Sequence, residues 1–396
     1  MTAEQTYLAW MRAALWGEMA DQVGHDGNGG HDGSGGHDGN GGHDVSGDDG
    51  GTGVPKDVLA IANRQKTRGL VFDALLRDAG QQAGLPEESK SRMREFLLQN
   101  FNTHRILDAA LMRIVTALRE AGIPAVLLKG QGAARSYPNP PLRECGDIDL
   151  YIGPERLEEA LRVLTPLASS VDDQLLGKHW GLQLGGAEIE LHQHSMLPET
   201  RRLTRFYRAL EAEGFTRGLV PLDFGGVRVD TPEPTFNAFY LFYHAWHHFL
   251  QGGIGFRQLC DWTLHLHAHA GDIDRERLLR MVQGMRLQGP WQLFCCIAVH
   301  DLGLPAAECP GYDPAALARS RKALALILVE GNFGRGISLR SKRPEGYLGG
   351  KLYTLFAMHL RRFCRLLPIV PREAAQNFVS LFAGGIRQIL KDLIKR

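Results

Sequence analysis

The sequence predicts an α+β fold, in which a small mixed β-sheet with flanking helices is embedded in a mostly α-helical protein. Between residues 122 and 200, short runs typical of buried strands alternate with helical stretches, in the order strand, helix, strand, helix, strand, strand. On both sides of this segment, apolar residues recur with the helical period, as in 88–121 and 234–250. Since 44% of the 396 residues are hydrophobic and 22% are charged, the chain can bury a core in more than one domain.

The chain before this sheet is predicted to be helical, with one low-complexity interruption. Residues 1–24 form an amphipathic helix, and residues 54–121 form a second helical region that ends at the Gly122-Ile-Pro124 turn. Between them, residues 25–53 repeat a His-Asp-Gly unit that has nothing to fill a core, so we predict a disordered insertion. Its histidines could bind Zn²⁺ or Ni²⁺ weakly, but a repeat tolerated in a surface loop is the simpler interpretation.

The strands of the small sheet are predicted from local patterns within residues 122–200. AVLLK (125–129) has a buried-strand pattern, and a second strand runs over 147–152 after a proline-rich turn. A helix follows, and then two further strands at 180–184 and 187–193. The segment is therefore a compact α/β unit.

The remainder of the chain divides into a helical domain and a basic C-terminal region. Residues 201–334 are mostly helical, with a hairpin around 218–230. Residues 335–396 form a helical region with thirteen Lys or Arg and three acids, a charge of +10, which leaves −9 for the rest of a chain whose net charge is +1. This region could make peripheral contact with phosphates, anionic lipid or an acidic partner, or it could be a solvated helix face.

Several compositional features predict a cytoplasmic protein. The N-terminus lacks a basic start before an apolar run, which argues against a signal peptide. No apolar stretch reaches the ~18 residues of a membrane helix. The six cysteines show no CxxC pairing, which argues against zinc or disulfide frameworks. The near-neutral net charge provides no general attraction for nucleic acid.

The most informative feature is a pair of carboxylates on one predicted strand. Asp147 and Asp149 are two residues apart, so both point to the same face of the strand. Two adjacent carboxylates repel each other unless a cation lies between them, and Mg²⁺ prefers such oxygen ligands, with Mn²⁺ as a substitute. The alternative is a solvated strand end. Glu190, on the strand AEIELHQH, is the predicted third carboxylate, and Glu188 is the alternative. Three carboxylates can hold two metal ions.

Phosphate-binding candidates lie on either side of the turn between the first two strands. Lys129 and Gly130 close the first strand, where glycine allows a phosphate to approach the backbone and the next helix begins. Lys129 or Arg143 could clamp a triphosphate. The alternatives are a surface lysine at a strand end and an arginine that pairs with carboxylates of its own loop.

Further candidate residues are expected to surround the carboxylates. They lie on the strand AEIELHQH, and on and just after an aromatic helix later in the chain. His192 follows Glu190 on the same face, while His244 and His248 are spaced i, i+4, and Arg257 follows a glycine turn. No HExxH pattern accompanies these histidines, so core or supporting histidines are favoured over zinc ligands.

Taken in order, these motifs resemble a bacterial family of nucleotidyltransferases of the DNA polymerase β-like superfamily, whose substrates are mostly uncharacterised. The shared pattern is AGIPAVLLKG (121–130), Tyr137-Pro138, Arg143, Asp147-Ile-Asp149-Leu150 and Glu190-Leu-His192, and the resemblance extends from about residue 54 to the C-terminus. Two features depart from the superfamily. Lys-Gly replaces its usual Gly-Gly or Gly-Ser with a longer spacer to the aspartates, and the third acid is Glu rather than Asp.

The resemblance implies an enzyme that transfers a nucleoside monophosphate from ATP or another NTP to a small molecule, sugar or protein hydroxyl, by two-metal catalysis. One alternative is a catalytically silent palm, the sheet domain of such enzymes, that binds nucleotide or a partner protein. Another is a nucleic-acid-modifying transferase, which is less favoured because no RNA-binding motif is present.

Overall fold

The computed structural model describes residues 1–17, 56–172, 179–198, 200–332, 350, 353 and 358–394. The repeat predicted at 25–53, and much of the basic region that begins at residue 335, lie outside the described residues.

The helices that precede the sheet pack against one another and against its connections. They are α1 (Ala3–Trp16), α2 (Lys56–Gln65), α3 (Arg68–Arg77), α4 (Ala79–Ala83) and α5 (Glu87–Glu120). Helix α1 begins with a capping box between Thr2 and Gln5 and ends at Gly17, whose left-handed conformation suits glycine. The helical region predicted at 54–121 begins with two short helices, α2 and α3, because Lys66 between them has a positive φ and interrupts the regular backbone.

The strands form one mixed sheet, which confirms the predicted fold class. The strands are β1 (Val126–Leu127), β2 (Asp147–Tyr151), β3 (Ser170–Asp172), β4 (His179–Leu184), β5 (Ala187–His192), β6 (Val220–Phe224) and β7 (Val227–Thr231). Their order across the described sheet is β3-β4-β5-β2-β1-β7-β6. The β2–β5 and β1–β7 pairs are parallel, and the other neighbouring pairs are antiparallel.

The sheet differs from the pattern expected from sequence in the short strand β3, which was not predicted, in the hairpin β6–β7 and in β1. The hairpin β6–β7 pairs through β7 with β1, so it extends the sheet, although it was assigned to the helical domain 201–334. Strand β1 has only two residues, because Gly130 turns the chain soon after it. Leu128, just beyond β1, still donates its amide hydrogen to the Asp149 carbonyl oxygen at 3.0 Å.

The two faces of the sheet are buried against different sets of helices. Between the strands lie α6 (Gln131–Ala134) and α7 (Leu157–Leu164). Ile148 and Leu150 of β2 are fully buried in a core with α5 and α7. On β1, Leu127 belongs to this same core, whereas its neighbours Val126 and Leu128 pack into the larger helical core. Alternation along the strands therefore turns the opposite face, which carries the aspartates, towards the helical part of the protein.

The helical part follows the sheet and has an aromatic centre. Its helices are α8 (Arg201–Gly214), α9 (Pro234–Gln251), α10 (Phe256–Ala268), α11 (Arg275–Gly284), α12 (Gln288–His300), α13 (Leu317–Glu330), α14 (His359–Leu366) and α15 (Pro371–Ile394). Phe242 on α9, Trp262 on α10 and Trp291 on α12 contact one another edge to face or tilted, with centroids 4.8–5.9 Å apart. Among the described residues, no helix combines the length and the apolar character needed to cross a membrane.

Candidate active site

The acidic face of the sheet is formed by two adjacent parallel strands. In the register of β2 and β5, Asp147 lies opposite Glu188 and Asp149 lies opposite Glu190. Because side chains alternate along both strands, all four carboxylates are on the face opposite Ile148 and Leu150. Asp147 and Glu190 are half-buried, Glu188 is exposed, and Asp149 is only 1% exposed. The deepest carboxylate is therefore Asp149.

Asp149 is surrounded by positively charged or hydrogen-bonding groups. Its Oδ2 lies 2.9 Å from the Nζ atom of Lys129, and its Oδ1 accepts a hydrogen bond of 2.9 Å from the Nε2 atom of His192. Burial opposes ionisation of Asp149, but the Lys129 charge and the His192 hydrogen bond together hold the pKa of its carboxyl far below the usual range. Asp149 is consequently ionised in the folded protein at neutral pH.

The pKa of Asp147 is shifted in the opposite direction, above its usual value. The negative charge of Asp149 raises the pKa of Asp147, and burial raises it further. Lys129 acts in the other direction without cancelling the rise. The site thus has an excess of negative charge around Asp147, which a bound cation would neutralise.

Glu190 and His192 complete a cluster of groups that can ligate a metal ion. The Nε2 atom of His192 lies 3.4 Å from Oε2 of Glu190 in addition to its contact with Asp149. One ligand atom from each of Asp149, Glu190 and His192 lies within 4.8 Å of the other two. Carboxylate oxygens with an imidazole nitrogen are a donor set that divalent cations accept, so these residues fit a metal ion. Asp147 lies beside this cluster on the same strand face.

The turn after β1 requires glycine at position 130. Gly130 has a φ of 58°, and a Cβ atom there would lie 3.2 Å from the backbone carbonyl oxygen of Asp147. This close approach sets the Lys129–Gly130 turn against the start of β2. Helix α6 follows, but it has only four residues. Any anion binding at this turn would therefore depend on backbone access and on Lys129 more than on a helix dipole.

Arg143 forms a buried ion pair with Asp261 of α10. It is 5% exposed, and its Nε and Nη2 atoms donate to the two carboxylate oxygens of Asp261 on α10, each at 2.7 Å. Tyr137 donates to the same carboxylate at 2.7 Å. Arg143 thus occupies a structural role, with a carboxylate that is distant in sequence rather than one from its own loop. Its contribution to phosphate binding stays a prediction.

Arg257 lies in the first turn of α10 and contacts the loop that leads into β2. Its guanidinium donates to the backbone carbonyl oxygen of Glu144. Its charge also opposes the rise in the pKa of Asp147 that Asp149 causes, which indicates that it lies near the acidic face. Arg257 therefore brings a positive charge from the helical part of the protein towards the acidic face.

The histidines of α9 form a pair near the same face. The Nε2 atoms of His244 and His248 are 3.2 Å apart. Burial lowers the pKa of His244 far below its usual value, and the charge of Lys129 is the next cause, so His244 lies close to the lysine of the site. Tyr240, one turn earlier, has a raised pKa because of burial and then the charge of Asp149. Sequence reasoning missed Tyr240, although its i, i+4 spacing from His244 was a signal.

The model of a family described as uncharacterised nucleotidyltransferases matches residues 54–303. A comparison with curated proteins found no significant match. Among solved structures, an antigenic nucleotidyltransferase-like protein from Paracoccidioides brasiliensis aligns with 53% of this chain and 96% of its own, at 12% identity and a TM-score of 0.32.

The family match includes the sheet, the acidic face and the helices α9 and α10 that cover it, while helix α1 lies outside it. It spans well over half of the 396 residues. This chain belongs to the family of uncharacterised nucleotidyltransferases.

Proposed function

We propose that the protein transfers a nucleoside monophosphate from an NTP to an acceptor hydroxyl on a small molecule, a sugar or a protein. The observation that carries this proposal is the pairing of Asp149 with Glu190 across two parallel strands, with Asp147 on the same face. Membership of the family supports the reaction class. The acceptor is defined only by the chemistry of its nucleophilic oxygen.

Asp147, Asp149 and Glu190 are the residues that would hold divalent cations, and Mg²⁺ is the expected ion, with Mn²⁺ as a substitute. When bound, such ions neutralise the triphosphate and lower the pKa of the acceptor hydroxyl. The fit is supported by the excess negative charge that raises the pKa of Asp147 and by the convergence of Asp149, Glu190 and His192.

The reaction requires little covalent chemistry from the protein itself. The acceptor oxygen forms a bond to the α-phosphorus, the bond from the α-phosphorus to the bridging oxygen breaks, and pyrophosphate leaves. Glu190, which is half-buried at the edge of the cluster, is the proposed base for the acceptor proton. Lys129, which pairs with Asp149 in the free protein, is the proposed ligand of the triphosphate, beside the Gly130 backbone.

The experiment measures pyrophosphate release by the 396-residue chain with each NTP, Mg²⁺ and cell extract as the source of acceptor. We expect Asp147→Asn and Asp149→Asn to abolish release, because each removes the charge of a proposed metal ligand. Glu190→Gln should reduce release by roughly 10²-fold or more, the range for loss of a catalytic acid–base group. Glu188→Gln is the matched control, because Glu188 shares strand and face but is exposed.

Radioactive label from the α-phosphate would identify the acceptor in the same incubation. Nucleotide binding measured by calorimetry separates the roles of the carboxylates, since Glu190→Gln should bind NTP normally. Full activity of both aspartate variants would refute the site. If Glu190→Gln turns over normally and Glu188→Gln is inactive, Glu188 is the third carboxylate of the site.

A further inference from the structure

We propose that His192 is a direct metal ligand, so that the position formed with Asp149 and Glu190 takes Mn²⁺, or a similar first-row transition ion, in preference to Mg²⁺. This inference rests on the proposed function, because it concerns the metal on the side of Glu190, where the acceptor is activated. It adds a nitrogen ligand to the three proposed carboxylate ligands, and it specifies the class of metal ion that the position binds.

The first support is the convergence of three donor atoms on one point. The same atom, Nε2 of His192, lies 2.9 Å from Oδ1 of Asp149 and 3.4 Å from Oε2 of Glu190. The strand register explains this arrangement, since Glu190 lies directly opposite Asp149 and His192 follows two residues later on the same face. The Nε2 atom of His192 therefore lies within reach of both carboxylates at once.

The second support is the way the cluster is buried. The side chains of Asp149, His192 and Glu190 are 1%, 12% and 21% exposed, so their orientations are constrained by packing before any ion binds. The other oxygen of Asp149 faces Lys129. Asp149 therefore offers one oxygen to the His192 side while its second oxygen already has a cationic partner.

The choice of ion follows from the chemistry of the ligands. Mg²⁺ demands near-ideal octahedral geometry and prefers oxygen, whereas an imidazole nitrogen suits transition ions, whose affinities for nitrogen-containing sites rise along the first row. A site with two carboxylates and one imidazole should thus bind Mn²⁺ more tightly than Mg²⁺. The opposing interpretation is that His192 only orients the carboxylates by hydrogen bonding, as outer partners of metal ligands do.

Mn²⁺ added to the full-length protein without nucleotide tests the inference directly. Pulsed electron paramagnetic resonance, at less than one equivalent of Mn²⁺, detects hyperfine coupling to a directly bound nitrogen. We expect this coupling in the wild type and its loss in His192→Gln. The matched control is His194→Gln, because His194 follows on the same chain segment but contacts Glu211 instead, with Nδ1 3.3 Å from Oε2.

Calorimetry supplies a second measurement. His192→Gln should weaken Mn²⁺ binding by a larger factor than Mg²⁺ binding, because only the transition ion gains from the imidazole nitrogen. An equal loss of affinity for both ions, roughly 10-fold or more, is what an outer partner of the carboxylates would give. Circular dichroism establishes that each variant is folded. The paramagnetic resonance spectrum of the wild type shows whether a nitrogen is bound, even if a variant fails to fold. Mn²⁺ that binds the wild type without nitrogen coupling, or equal coupling in His192→Gln, would overturn the inference while leaving nucleotidyl transfer intact. Absence of both metal binding and pyrophosphate release would overturn the proposed function as well.

Discussion

Gly130 connects the lysine of the site to the start of strand β2 through its backbone conformation. Its φ of 58° lies in the region that L-residues with a Cβ atom avoid, and the space that a Cβ would need is limited by the Asp147 carbonyl oxygen at 3.2 Å. The conformation at one residue therefore sets where Lys129 meets Asp149. Gly146, just before Asp147, has no such constraint, since a Cβ there would meet nothing within 4 Å.

Substitution of Gly130 by alanine should reduce both stability and activity. A left-handed conformation costs a residue with a Cβ atom about 1–2 kcal/mol, and relief of the contact would move the turn away from Asp147. The free energy of unfolding in urea and the rate of pyrophosphate release measure the two effects. Gly146→Ala should behave like the wild type. Equal stability of the two variants would show that the turn adapts without strain.

At the scale of secondary-structure elements, the loop that enters β2 is held to helix α10. Arg143 and Tyr137 both bind the carboxylate of Asp261, and Arg257 binds the backbone of Glu144. Arg143 and Asp261 are each 5% exposed or less, so this ion pair is buried. The contacts fix the start of the acidic strand relative to the helical part of the protein.

Asp261→Asn should destabilise the protein strongly. It leaves the Arg143 guanidinium buried without a carboxylate, and loss of one partner of a buried ion pair typically costs about 3–5 kcal/mol. Arg228→Gln is the control, because the Arg228–Asp230 pair is exposed and such pairs contribute about 0–1 kcal/mol. Urea unfolding gives both values. A loss below about 1 kcal/mol in Asp261→Asn would mean that Arg143 finds another partner.

At the scale of the whole molecule, helix α1 is part of the helical core although it precedes the family match. Tyr7 and Met11 are fully buried, and the hydroxyl of Tyr7 hydrogen-bonds to Thr67 at 2.9 Å. The helix contacts α2 and α3 directly. Its apolar face therefore packs into the helical core.

Deletion of residues 25–50 should leave the protein nearly unchanged. The deleted stretch consists of His, Asp, Gly and other small residues that cannot fill a core. Residues 18–24 and 51–55 remain as a linker that can span up to roughly 40 Å between α1 and α2, which contact each other. We expect the Tm to change by less than about 2 °C and turnover to stay at the wild-type level. A larger fall in Tm, or loss of activity, would assign the repeat a structural or binding role.

The sequence by itself determined the class of fold, the family resemblance and the face on which each candidate carboxylate lies. The fold class and the family are confirmed by the mixed sheet and by the family match. The faces followed from alternation in DIDLY and in AEIELH, because a period of two residues is a local property of the chain. The roles of these residues in catalysis stay predictions.

Only the tertiary structure decided which strands pair and which side chains contact one another. The parallel pairing of β2 with β5 brings Asp149 opposite Glu190, the hairpin β6–β7 joins the sheet beside β1, and Arg143 pairs with Asp261 rather than with a carboxylate of its own loop. Local periodicity specifies the direction in which a side chain points but not the strand or helix that it faces. Those partners are selected by burial of apolar surface and by pairing of buried charges between segments far apart in the chain.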